Sequence, residues 1–279
     1  MRSTASPLVR QFEIKRVRSG KEERYLDSVA NEEPLEIRLS YWFKEAQVTT
    51  SLAVTMRTPG SDTELAVGLL LSEGIIRSSE DILAMRPLGT EPSDEILIEL
   101  APHVDVDAWR LTRNSFVSAS CGICGKRTRD AIAAQLPARI ESSFTVKQAL
   151  LAGLPDALRS RQAGFAETGG LHAAALVDAS GELEAVFEDI GRHNALDKLI
   201  GECVLKGRTP LSGKLLFLSS RSSFELVQKA AMAGAPILAT VGGPSSLAIE
   251  AARDYGLTLI GFLREGGFNI YSGEWRISL

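Results

Sequence analysis

Apolar and polar residues alternate over residues 35–43 and again over 48–57, the period of two half-buried strands. Thr58-Pro59-Gly60 then breaks the chain, and Ser61-Asp62-Thr63-Glu64 has the spacing of a capping box, so a helix is expected to start there. Residues 65–71 are apolar nearly all round, which predicts a buried helix, and Gly74 sits where a C-terminal cap belongs. Residues 95–100 read as a further strand. Residues 145–162 read as a helix, with Pro155 marking a kink or break. From residue 165 the rhythm changes. Residues 171–177 and 183–187 flank Asp178-Ala-Ser-Gly181 as a hairpin. A helix over 194–206 follows, stopped by Gly207. Then come strands at 214–218, 236–241 and 257–263, with helices at 222–233 and 245–254 between them. Strand–helix–strand–helix–strand with short connections predicts a parallel sheet layered with helices.

The pattern divides the chain into a basic arm (1–34), an α+β subdomain (35–113), a loop of small residues (114–130) and an α/β domain (131–279). The arm carries seven Lys/Arg against Glu13, Glu22, Glu23 and Asp27 within its first 30 residues. It is expected to be solvated and partly ordered, with docking to an acidic partner as the other reading.

Composition then narrows the function. With 44% hydrophobic and 24% charged residues the chain is not globally disordered, and a net charge of −4 gives no bulk field for nucleic acid. The longest apolar run has seven residues where a spanning helix needs about 20, and no signal-peptide core is present, so a cytoplasmic protein without membrane or nucleic-acid partners is expected. Three cysteines make a poor disulfide framework and suit a reducing compartment.

In open parallel sheets, ligands bind beyond the carboxyl ends of the strands. Three such ends are followed by Ser219-Ser-Arg221-Ser-Ser223, Gly242-Gly-Pro-Ser-Ser246 and Arg264-Glu-Gly-Gly267. Two lead into helix starts and two carry an arginine, a combination that suits phosphate, although tight turns need no ligand to explain them. Neither G-x-G-x-x-G after a strand nor a P-loop is present. His172 opens a predicted strand and His193 a helix; each reads first as a hydrogen-bonded structural residue, with ligand orientation or proton transfer as the other reading. Asp189, Arg192, His193, Asn194, Asp197 and Lys198 crowd polar function into ten residues.

Cys121-Gly-Ile-Cys124-Gly is followed by Lys126, Arg127 and Arg129. Neighbouring cations favour thiolate, and the glycines leave the sulfurs uncovered, as a nucleophilic or sulfur-carrying cysteine requires. Three other readings compete. A zinc site would need His103, His172, His193 or Cys203 to complete four ligands; a thioredoxin-like pair would need a preceding strand; an inert loop would be an oxidation liability. Cys203, on an apolar helix face, reads as core. A zinc deaminase is disfavoured, because no His or Cys here is followed by the required glutamate and Cys121 is preceded by Ser120.

Several segments, in order, resemble the signature of the formate dehydrogenase accessory sulfurtransferase family. They are Met56-Arg-Thr-Pro-Gly60 with Glu64-Leu-Ala, Glu73-Gly-Ile-Ile76, Ser118-Ala-Ser-Cys121-Gly-Ile-Cys124-Gly, Thr168-Gly169-Gly-x-His172, Asp189-Ile-Gly-Arg192-His193-Asn-Ala-x-Asp197-Lys198, Ser219-x-Arg221 and Gly261-Phe262-x-Arg264. The resemblance implies a sulfurtransferase. It takes persulfide sulfur from a cysteine desulfurase and passes it to the molybdenum cofactor, bis-molybdopterin guanine dinucleotide, for formate dehydrogenase. It implies a homodimer of α/β fold: a cytidine-deaminase-like three-layer C-terminal domain with a smaller α+β N-terminal subdomain. Cys121 would hold the persulfide and Cys124 would assist. Phe262, Leu263, Arg264, Glu265, Gly266 and Gly267 would meet the nucleotide part of the cofactor. Thr168, Gly169, His172, Arg192, His193, Ser219, Arg221 and Gly242 complete the expected binding set, with no resident metal. The alternative is a cofactor-binding chaperone whose Cys-x-x-Cys is structural or binds zinc.

Overall fold

The computed structural model describes residues 8–89, 93–106 and 139–278. The chain opens with an antiparallel hairpin, β1 (Val9–Arg18) and β2 (Lys21–Ala30), in place of the partly ordered arm expected. Ser19 and Gly20 both take positive φ, the twist-matched geometry of a two-residue hairpin turn. The pattern is hidden in the sequence because one face is held by charges across the strands. Lys15 pairs with Glu22 at 2.6 Å and Arg24 with Glu13 at 3.0 Å. On the other face the Arg16 guanidinium lies over the Tyr25 ring.

Strands β3 (Glu33–Phe43) and β4 (Ala46–Arg57) form the expected hairpin. With β5 (Ile82–Leu88) and β6 (Glu95–Leu100) they make a sheet of order β4-β3-β6-β5. Helix α1 (Asp62–Ser72) starts where expected, but without the capping box. Ser61 is in the left-handed region and its side chain caps nothing. Asp62 instead takes the guanidinium fork of Arg57, at 2.9 and 3.0 Å. Arg57 is only 2% exposed, so its bidentate demand outweighs the cap. Gly74 ends the helix as expected. Its φ is 68°, and Ile75 N–H reaches back to Leu70 O at 2.9 Å in a Schellman turn.

The single helix expected over 145–162 is instead a short strand, β7 (Val146–Lys147), and three short helices, α2 (Gln148–Leu151), α3 (Leu154–Ser160) and α4 (Ala163–Thr168). Pro155 lies in the first turn of α3, where no backbone N–H is needed, so it starts a helix rather than kinking one. The remaining elements are β8 (His172–Val177), β9 (Leu183–Asp189), α5 (Arg192–Leu205), β10 (Leu215–Leu218), α6 (Phe224–Met232), β11 (Ile237–Thr240), α7 (Ser246–Asp254), β12 (Thr258–Arg264), β13 (Gly267–Ser272) and β14 (Ile277–Ser278). Six of these strands form one sheet of order β13-β12-β11-β10-β8-β9. Strands β10, β11 and β12 are parallel, as predicted. β8, β9 and β13 run antiparallel to their neighbours.

Helices cover both faces of this sheet. Leu216, Leu218, Leu238 and Leu259 face α5–α7, while Leu215, Phe217, Ala239 and Ile260 face Leu151, Leu154 and Leu158. The first core also takes in Leu35, Ile37 and Leu39 of β3 and Leu65, Val67 and Leu70 of α1, so residues from the two halves bury one another. The seam is the crossing of α1 and α5 at two glycines. A Cβ on Gly68 would lie 1.9 Å from the Asp197 carbonyl oxygen, and one on Gly201 would lie 1.8 Å from that of Glu64. Cys203 is fully buried in α5, as expected, and burial pushes its thiol up to about 11.

Candidate functional site

Parallel pairing places the ends of β10, β11 and β12 on one edge of the large sheet. Antiparallel pairing adds the start of β8, the end of β9 and the start of β13 to that edge. His172 and Asp189 are paired residues there. The loops are joined by main-chain bonds: Val241 N–H to Leu218 O, Gly242 N–H to Ser220 O, Ser245 N–H to Ser222 O and Phe262 N–H to Gly242 O, all between 3.0 and 3.1 Å. Residues far apart in sequence thus share one surface.

The expected residues divide by what they do on it. Arg192 and His193 open α5 and are half-buried. Arg221, Phe262, Arg264, Glu265 and Gly266 are exposed. Phe262 combines a φ of 54°, which costs a non-glycine residue energy, with a side chain that is 45% exposed. Gly243 makes room for it, since a Cβ there would lie 2.5 Å from the Phe262 ring. Gly242 likewise admits the Arg221 main chain, its own Cβ position lying 2.9 Å from Arg221 Cα. Gly267, at φ 145°, turns β12 into β13.

Other expected residues are occupied by the scaffold. Leu263 is fully buried in the second core, so its side chain does not reach the edge. Ser219 Oγ accepts the Ala173 N–H at 2.8 Å. Thr168 and Gly169 end α4: Thr168 Oγ donates to Gly164 O at 2.8 Å, and Gly169 supplies the left-handed cap. Cys121 and Cys124, with Lys126 and Arg127, lie outside the described residues.

The edge also holds groups that were not anticipated. His193 Nε2 lies 3.3 Å from Ser223 Oγ. Burial raises the Glu225 carboxyl, but its bond with the Ser223 hydroxyl, its own backbone N–H and the nearby His193 and Arg192 hold it below the usual range. Ser222 is 2% exposed, and its hydroxyl has no partner among the described residues. The serine run pointed to this loop, but nothing in the sequence pointed to Glu225 on the next helix. Burial lowers His172, and Arg192 adds to the effect against Asp189. Burial, then Lys229 and Arg192, lower His193 to about 4, so it is a neutral imidazole near pH 7.

This depression sets a pH dependence. The unfolded chain protonates His193 near 6.5 while the folded chain resists until about 4, so stability is full above 6.5 and falls as pH drops between those values. Partial exposure trims the loss to roughly 2 kcal/mol. Urea denaturation from pH 7 to pH 4 should show this slope in the native chain and a flatter one in His193→Gln. Equal slopes would refute it.

Around the edge, the short polar stretch on α5 is mostly structural. Lys229 donates to both oxygens of Asp197, at 2.9 and 2.8 Å, and Ser72 donates to Asp197 Oδ1 at 2.8 Å. Burial nevertheless raises the Asp197 carboxyl. His103, one candidate fourth zinc ligand, lies 2.9 Å from Asp81. Among the described residues, no three His, Cys, Asp or Glu side chains stand together as a metal site. A cavity of about 280 Å³ between Arg139, Arg253, Tyr271 and Trp275 lies at the opposite edge of the sheet, and none of the candidate residues lines it. No helix among the described residues is long and apolar enough to cross a membrane.

The molecule is therefore a mixed α/β protein whose candidate residues, apart from the paired cysteines, gather mostly on one sheet edge. Residues 30–278 match the model of the FdhD/NarQ family, and the chain belongs to that family. It is 44% identical over 272 residues to the sulfur carrier protein FdhD of Streptomyces avermitilis, covering 95% of this chain and 94% of that one. It is 40% identical over 271 residues to the protein of the same name from Sulfolobus acidocaldarius, covering 97% and 99%. A crystal structure from Desulfotalea psychrophila, described as a formate dehydrogenase accessory protein, superposes with a TM-score of 0.76 at 21% identity, covering 98% and 100%. At that identity the likeness is one of fold.

Proposed function

We propose that this protein is a cytoplasmic sulfur carrier that takes persulfide sulfur from a cysteine desulfurase onto Cys121. It passes the sulfur to the molybdenum cofactor, held at the sheet edge as bis-molybdopterin guanine dinucleotide, for use in formate dehydrogenase. The observation that carries the reading is the family match over residues 30–278, a span that contains the cationic Cys121-Gly-Ile-Cys124 stretch. In the loading step the Cys121 thiolate attacks the terminal sulfur of the donor's persulfide. A new S–S bond forms on Cys121, the donor's S–S bond breaks, and the donor leaves as thiolate with no net oxidation.

The edge suits the substrate on chemical grounds. Arg192, Arg221 and Arg264 supply cations for pyrophosphate, and the half-exposed Phe262 ring, seated against Gly243, offers a stacking face for a base. His193, neutral near pH 7, adds no charge to this set. The layering of helices on both faces of the sheet supports reading the C-terminal half as a cytidine-deaminase-like three-layer domain, and the working form is read as a homodimer.

Intact-mass spectrometry after incubation with a cysteine desulfurase and cysteine tests the function. The native chain should gain about one sulfur, roughly 32 Da, and Cys121→Ala should gain none. Stoichiometric zinc that disappears when Cys121 and Cys124 are mutated, with no sulfur gained by any variant, would replace this reading with the cofactor-binding chaperone.

A further inference from the structure

The most deeply buried charges beside the edge have no part in the function proposed above. Lys198 is 1% exposed and Asp189 is fully buried. Lys198 Nζ donates to Asp189 Oδ2 at 2.7 Å and to the Thr58 carbonyl at 2.7 Å. Thr58 gives its own N–H to Asp189 Oδ2 at 3.1 Å and accepts the Ile190 N–H on its hydroxyl at 3.1 Å. Asp189 Oδ1 takes the Gly191 N–H at 2.8 Å and the Asn194 amide at 3.1 Å. Asn194 donates in turn to the Met56 carbonyl at 2.8 Å. Four of these bonds, those to Met56 and Thr58, tie the corner that follows β4 to the turn between β9 and α5, and the others brace Asp189 within that turn and against α5.

A buried ion pair is a weak stabilising device, because desolvating both charges consumes most of their attraction; what it can supply is a defined geometry. Helix packing does not need this pair, since α1 and α5 already meet backbone to backbone at Gly68 and Gly201. The turn does need it: both of its N–H groups, from Ile190 and Gly191, end in this network. The next two residues are Arg192 and His193. The neighbouring Asp197 points away to Lys229 and Ser72, so α5 is held from two sides by adjacent residues.

We propose that Lys198 is a positioning residue. By holding Asp189 against Thr58 it sets the Ile190–Gly191 turn, and through it aims Arg192 and His193 at the sheet edge. The consequence for ligand binding rests on the nucleotide reading given above.

Amide hydrogen exchange and GDP calorimetry on the full chain test it, using Lys198→Met and the double variant Asp189→Asn/Lys198→Met. The double variant leaves no buried lone charge and serves if the single variant fails to fold. Exchange at Ile190 and Gly191 is expected to quicken by about tenfold or more while α1 and the middle of α5 keep their native rates. The GDP Kd is expected to rise by about tenfold or more, with the unfolding midpoint of the double variant close to native. Unchanged exchange at the turn, or uniform quickening along α1 and α5, would overturn the proposal. Failure of GDP to bind the native chain would instead remove the nucleotide reading, and the exchange pattern would still decide the role of Lys198.

Discussion

Gly201→Ala is expected to destabilise the fold severely. Within a helix this change ordinarily gains about 1 kcal/mol. Here the added methyl would lie 1.8 Å from the Glu64 carbonyl oxygen and 2.8 Å from the Gly68 nitrogen. Both are main-chain atoms, so no rotamer change relieves the clash and the two helices must part. Ordinary overpacking costs about 1–3 kcal/mol, and a rigid main-chain collision exceeds that range. A loss of about 4 kcal/mol or more would consume much of the roughly 5–15 kcal/mol that holds a typical domain together. Gly68→Ala should behave in the same way, because its methyl would lie 1.9 Å from the Asp197 carbonyl. Gly213→Ala is the control: it has open space around its Cβ and no positive φ, and should be nearly neutral. Urea denaturation of the three variants gives the answer, and a Gly201→Ala midpoint near that of Gly213→Ala would show the crossing to be looser than described.

Lys229→Met is the second large effect. It leaves Asp197 buried with Ser72 as its one hydrogen-bonding side chain among the described residues. Removing one member of a buried pair costs about 3–5 kcal/mol. The cost should depend on pH in a definite direction. Burial already raises the Asp197 carboxyl, and loss of the lysine raises it further. An acid whose folded pKa exceeds its unfolded value contributes stability at low pH that is lost as pH rises through the folded value. The deficit relative to the native chain should therefore be smallest in acid and grow toward neutrality. Lys229 is also the second cause of the lowered His193, so the His193 imidazole should titrate higher in this variant, a change that NMR would register. A deficit independent of pH would mean that Asp197 keeps its charge without the lysine.

The parallel strands over residues 214–264 are legible in the sequence because buried strands of a layered sheet read as short apolar runs with small residues at their ends. The same regularity makes the sheet edge legible, as the loops after Leu218, Thr240 and Arg264 come from three adjacent strands. The N-terminal hairpin is not legible: Lys15–Glu22 and Arg24–Glu13 replace apolar contacts on one face, and charge runs look like solvated chain. Nor is the absence of the cap at Ser61, because the preference of Asp62 is decided by Arg57 on the preceding strand. Glu225 and Lys229 escape notice for a similar reason, since only the packing of α6 beside α5 brings them to His193 and Asp197. The charged run 189–198 is conspicuous in the sequence, but its division into scaffold (Asp189, Asp197, Lys198) and edge (Arg192, His193) depends on where β9 ends and on which side of α5 each later residue faces.

The crossing of α1 and α5 also bears on inheritance. Because residues from before 107 and from after 138 supply opposite sides of one interior, neither stretch could be transferred to another protein as a self-sufficient module. Recombination within this lineage should therefore be tolerated at the margins, such as the hairpin that precedes β3, and purged between the two helices. From β3 onward the chain has to be inherited as a single piece.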